Sequence, residues 1–89
     1  MDKPKNAPIS FSPHVLESLR KRGTNEIEIK MAIKGSPWRS AKRGRMEAEM
    51  EFNYNNEWND KLYAFKKVNP VFVVEGHKII VITVYCFYY

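Results

Sequence analysis

One cysteine, Cys86, stands in the whole chain, so no disulfide can close within it. No charged-then-apolar leader of signal-peptide type opens the sequence, and the two absences together point to a reducing, cytoplasmic setting. Long apolar runs are missing as well. The stretch from Val71 to Tyr89 is cut by Glu75, His77 and Lys78 into pieces too short to cross a bilayer, so no membrane is expected among the partners. There is no glycine-rich phosphate loop, no paired-carboxylate pattern, no internal repeat and no low-complexity segment. Cys86 has no second cysteine or nearby histidine at zinc-ligand spacing, and no acid and histidine in the order a thiol nucleophile needs. It reads as core, and neither a metal nor a cofactor is expected.

What is present is a chain of 89 residues, 44% hydrophobic and 13% aromatic, apolar enough for one compact core and short for two. The net charge of +5 is unevenly spread. Residues 1–45 hold eleven Lys or Arg against four acids; residues 46–60 hold five acids and no Lys or Arg; from Lys61 onward four Lys face Glu75 alone. A segregated cationic half draws polyanions through counterion release, with nucleic acid the commonest such partner; the plainer alternative is a solvated basic face.

Residues 1–8 show no periodicity and read as a flexible leader before a single domain over 9–89, with a candidate edge strand around Ile9 to Phe11. Ser12-Pro13 is a helix start, Val15, Leu16 and Leu19 form an apolar stripe, and Gly23 ends it, which predicts a helix over Pro13 to Arg22. Asn25 followed by Glu28 is a capping-box pattern; Ile27, Ile29, Met31 and Ile33 supply a buried side and Gly35-Ser36-Pro37 a stop, giving a second helix over Glu26 to Lys34. Met46, Ala48, Met50, Phe52 and Tyr54 then alternate with Glu47, Glu49, Glu51 and Asn53, the pattern of a half-buried strand. Charges at every second position would encircle a helix and leave it no apolar face. Asn55-Asn56-Glu57 suits a turn, Leu62 to Val68 a strand, Asn69-Pro70 a break, and Val71 to Glu75 a third strand. A hairpin at Glu75-Gly76-His77 leads to a last strand, Lys78 to Phe87, whose unbroken apolar run implies a central place in the sheet. The expected fold is α+β, two N-terminal helices on a four-stranded antiparallel sheet, in the order ααββββ.

Several of these residues form a pattern. His14 and Arg22-Gly23 on the first helix, the short capped second helix, and a terminal strand ending in Thr83-Val84-Tyr85 resemble a domain family within the RelE-like toxin superfamily. Its first helix reads H-x-x-x-R-x-x-x-R-G and its last strand V-x-T-V-Y. The likeness runs from Ile9 to Tyr85 in one register and departs at Ser18, where the pattern has its first arginine and this chain has one phosphate ligand fewer. The resemblance implies a compact RelE-like sheet with helices on one face, an RNA-cleaving or RNA-binding toxin role with RNA, free or ribosome-associated, as a partner, and a neutralising antitoxin protein.

Metal-free RNA cleavage needs a group to take the proton of the 2′-hydroxyl, one to protonate the 5′-oxygen, and cations for the phosphorane charge. His14, off the Val15/Leu16/Leu19 arc, is a candidate base, or else a solvated first-turn histidine; His77, in a hairpin turn, reads as inert. Thr83 and Tyr85 lie two apart on one strand face, about 7 Å from each other at ~3.3 Å per residue, with Ile80, Ile82, Val84 and Cys86 on the other. A tyrosine hydroxyl keeps its proton at neutral pH, so Tyr85 suits proton donation or base stacking; alternatively, Thr and Tyr are simply residues that strands prefer. Thr83 is the candidate to position the phosphate and Arg22, whose planar fork can hold it bidentately, to neutralise it. Arg20, Arg39, Lys42, Arg43 and Arg45 are further candidates for RNA contact, with Trp38 as a stacking surface and Lys66 and Lys67 extending the same face. The Lys42 to Arg45 run reads equally as a solvated loop, and the row of Glu47, Glu49 and Glu51 as a solvated strand face or one that turns polyanions away.

Overall fold

The structure, a computed structural model, describes residues 7–89; most of the leader expected over 1–8 lies outside them. It is an α+β fold of two helices on one face of a six-stranded sheet. The strands are β1 (Ile9–Phe11), β2 (Arg39–Ser40), β3 (Met46–Glu47), β4 (Met50–Trp58), β5 (Lys61–Glu75) and β6 (Lys78–Tyr88), and the helices are α1 (Pro13–Arg22) and α2 (Glu26–Gly35). The order across the sheet is β1-β6-β5-β3-β2, with β4 also paired to β5. The expected four-stranded antiparallel sheet is therefore corrected in four ways: the strand expected over Met46 to Tyr54 is split into β3 and β4, those expected over Leu62 to Val68 and Val71 to Glu75 are one strand, β5, and two further strands join the sheet. The edge strand β1 precedes the helices and pairs parallel to β6, and the basic loop adds the two-residue strand β2 against β3.

The helix ends form as their residues dictate. Ser12 accepts from the Val15 N–H, and Gly23 closes α1 in the left-handed region at φ 78°. Asn25 accepts from the Glu28 N–H to start α2. The buried face of α2 is Ile29, Ala32 and Ile33, whereas Ile27 and Met31 are exposed. A helix of one apolar arc cannot bury residues spread over most of its circumference, and the arc that meets the sheet is the one through Ile29 and Ile33. These join Val15, Leu19, Phe72, Ile79, Val81 and Val84 in the core.

Two expected interruptions turn out to lie inside strands. The turn between β4 and β5 is Asn59-Asp60, both at positive φ as a two-residue hairpin of the primed type requires, and not Asn55-Asn56-Glu57. Asn55 alone adopts positive φ, which makes a local irregularity in β4 without reversing it. Nor does Asn69-Pro70 break β5. Pro70 pairs with Val84 on one side, and its carbonyl accepts from the Ala48 N–H on the other. A strand residue points its N–H and C=O to the same neighbour, so the bond proline cannot give would have gone to the Ala48 carbonyl. The Asn69 side-chain amide donates to that carbonyl instead, at 2.7 Å.

A bulge in β6 decides which residues face which way. Val71 pairs with Thr83 and Phe72 with Val81, leaving Ile82 unmatched. Ile79 and Val81 therefore face the helices before the bulge and Val84, Cys86 and Tyr88 after it, replacing the expected uniform face through Ile80 and Ile82. Thr83 and Tyr85 keep the side away from the helices, as expected.

Candidate active site

On that open side the cross-strand register sets Arg39, Glu47, Val71 and Thr83 in one row across β2, β3, β5 and β6. The next row along β6 holds Asn69 and Tyr85, and the one after it Glu51, Lys67 and Phe87. The segment between β2 and β3, a single 3-10 turn over Lys42–Gly44, rises over the first two rows. It closes a depression of about 420 Å³ lined by Lys42, Arg43, Arg45, Glu47, Thr83 and Tyr85, with Val71 beneath. Arg43 holds φ 61° in this turn, a conformation a side-chain-bearing residue adopts at a cost. The Ala41 N–H bonds the Arg45 carbonyl at 2.8 Å and fixes the base of the turn. The local sequence thus brings three cations over two strand residues that lie some 40 positions later.

Arg22 joins this group from the opposite side. Strand β1 pairs with β6 only over Ile79 to Val81, and among the described residues no strand covers the outer margin of β6 beyond that. Arg22 straddles the margin. Its carbonyl accepts from the Tyr88 hydroxyl at 2.8 Å on the helix side, while its guanidinium carbon lies 5.5 Å from the centroid of the Tyr85 ring on the open side.

The remaining candidates go elsewhere. His14 is exposed at the start of α1 and is not among the residues lining the depression, and Arg20 is exposed farther along the same helix. Trp38 faces the core, donating its indole N–H to the Ile33 carbonyl at 2.7 Å and standing edge-on to Phe72. Lys66 is buried on the helix side, paired with Glu28 at 2.7 Å and donating to the Gly23 carbonyl. Arg39 and Lys67 share the open side but are engaged by the acidic row. Arg39 lies 2.7 Å from Glu47 and 3.4 Å from Glu49, which raises its pKa still further, and Lys67 lies 3.9 Å from Glu49. Ser18, at the departure from the family pattern, turns its hydroxyl back to the Val15 carbonyl.

No protein-family model matches the chain, and comparisons with curated proteins and with solved structures found no match. The likeness to RelE-like toxins rests on the motifs quoted for it.

The residue that sequence reasoning missed is Glu47. In the alternating strand it is one of three equivalent solvent-side acids, yet it alone of the three lines the depression. The break between β3 and β4 at residues 48–49 separates it from Glu51, which instead accepts from the Tyr89 hydroxyl and raises that phenol's pKa. Its carboxylate is oriented by Arg39 and, at 3.5 Å, by Asn69. One concavity therefore holds a carboxylate, a phenol, an alcohol and three cations. No helix of the described residues is long and apolar enough to cross a membrane.

Proposed function

We propose that this domain is an endoribonuclease of RelE-like toxin type and that RNA is cut in the depression over Thr83 and Tyr85. The observation that carries this reading is the gathering of Glu47, Tyr85 and three cations around one space large enough for a phosphodiester and its flanking sugars. The Glu47 carboxylate takes the 2′-hydroxyl proton, the 2′-oxygen attacks phosphorus, the bond to the 5′-oxygen breaks, and the Tyr85 hydroxyl protonates the departing oxygen. Lys42, Arg43 and Arg45 balance the charge that builds on the phosphorane, and the Thr83 hydroxyl holds a non-bridging oxygen. Every proton and charge requirement is met by side chains, with no metal and with Glu47 replacing His14 as base. An antitoxin partner and a cytoplasmic setting belong to the same proposal.

A second reading is favoured by the Arg39 clamp on Glu47, which competes with proton transfer: a module of this fold that binds RNA without cutting it. Inducing the protein in cells and following RNA integrity separates the two. Cleavage by wild type and by His14→Ala, but not by Glu47→Gln or Tyr85→Phe, supports the enzyme; unchanged RNA with wild type, alongside measurable RNA binding by the purified chain, supports the module.

A further inference from the structure

Beyond the depression, the open face of β6 carries aromatic side chains that the core does not use. Tyr85, Phe87 and Tyr89 are 42%, 51% and 47% exposed, and Phe65, beside Tyr89, is 37% exposed. They lie on one face because they are spaced by two along the strand, after the bulge has fixed their parity. Burying none of them in the fold leaves a stripe of ring surface that starts at the depression and runs away from it.

Resting on the proposed RNA function, we infer that this stripe is a stacking platform for single-stranded RNA, receiving bases that flank the phosphate held over Thr83. Three features select that occupant. Rings two residues apart on a strand are about 7 Å apart, roughly twice the ~3.4 Å repeat of a duplex strand, so they match bases splayed from one another and not a continuous stack. Cations already lie against the stripe: Arg22 over Tyr85, and Lys67 with its ammonium 5.7 Å from the Tyr89 centroid. Aromatic rings interleaved with such charges are the general means of holding single strands without reading sequence. The charges also set the path. Glu49 and Glu51 border the stripe on the β4 side and repel phosphates, whereas Arg22 stands at the outer margin of β6, so the backbone runs along that margin with its bases turned inward over Phe87.

The test is equilibrium binding of a short, fluorescently labelled 2′-O-methyl pyrimidine oligonucleotide, which cannot be cut, to the full chain at low salt. Phe87→Ala is expected to weaken binding at least about fivefold, Phe87→Trp to keep it, and a duplex of the same length to be insensitive to both. Equal affinity of Phe87→Ala and wild type, while Arg43→Ala with Arg45→Ala lowers it, overturns the platform and leaves the proposed RNA site standing. No binding by wild type overturns both. Self-association of wild type that Phe87→Ala abolishes would make the stripe an interface between copies and likewise overturn it. Phe87 is half exposed and outside the catalytic group, and circular dichroism confirms that each variant is folded.

Discussion

Gly23 meets closer neighbours than the other three glycines. It ends α1 at φ 78°, and a β-carbon there would run into the Tyr88 hydroxyl and come within 2.8 Å of the Trp58 ring. Both the backbone and the space call for glycine. Gly23→Ala should cost roughly 2 kcal/mol or more, measured as a lowered midpoint in urea. Nearby, Lys66 is almost fully buried and Glu28 is its counter-charge, itself held by the Thr24 hydroxyl at 3.0 Å. Glu28→Ala leaves an unpaired ammonium in the interior and should destabilise by about 3 kcal/mol. Tyr88 and Cys86, packed on the same side, have pKa values pushed up chiefly by burial from ordinary values of 10.0 and 9.0. A raised value in the folded state means that the native form retains protons the unfolded chain releases. Stability from this source is present below about pH 9 and is lost as pH rises through the folded values. Thermal melts should hold steady from neutral pH to about 9 and fall above it, with a shallower fall in Tyr88→Phe.

Among the elements, β5 is the one on which the sheet depends, since β3, β4 and β6 all pair with it. Its continuity rests on Asn69 supplying the hydrogen bond that Pro70 withholds. Asn69→Ala orphans the Ala48 carbonyl and should cost about 1–3 kcal/mol, whereas an exposed polar residue of the same strand such as Lys61→Ala should cost under ~0.5 kcal/mol; urea titration distinguishes them. The helices, their caps and the alternation of β4 were legible in the sequence because short-range chemistry fixes them. Asn69-Pro70 was not, because a proline is excluded from a strand only where its missing N–H is needed, and that depends on a partner 22 positions earlier. The bulge at Ile82 was hidden for a related reason: in an apolar run, period two fits either parity. Thr83 and Tyr85 were legible as a face, while Glu47 was indistinguishable from Glu49 and Glu51 until strand pairing set it beside Thr83.

Over the whole molecule, charge that is segregated along the sequence is partly neutralised in space. Arg39 and Lys67 meet the acidic row, and Lys66 meets Glu28, so on the open side the cations that border the proposed RNA path without such a partner are Lys42, Arg43 and Arg45, with Arg22 at the margin. About four phosphate contacts on a single strand predict a slope near −3 for log affinity against log salt, far shallower than the basic half of the sequence suggests. Arg39→Ala should leave that slope unchanged. The most direct measurement is the chemistry of RNA ends made by the purified chain. Attack by the 2′-oxygen predicts fragments ending in a 2′,3′-cyclic phosphate and beginning with a 5′-hydroxyl, formed by wild type and lost in Glu47→Gln and Tyr85→Phe while both still bind RNA. Fragments with 3′-hydroxyl and 5′-phosphate ends, or undiminished cleavage by Glu47→Gln, would contradict the assignment.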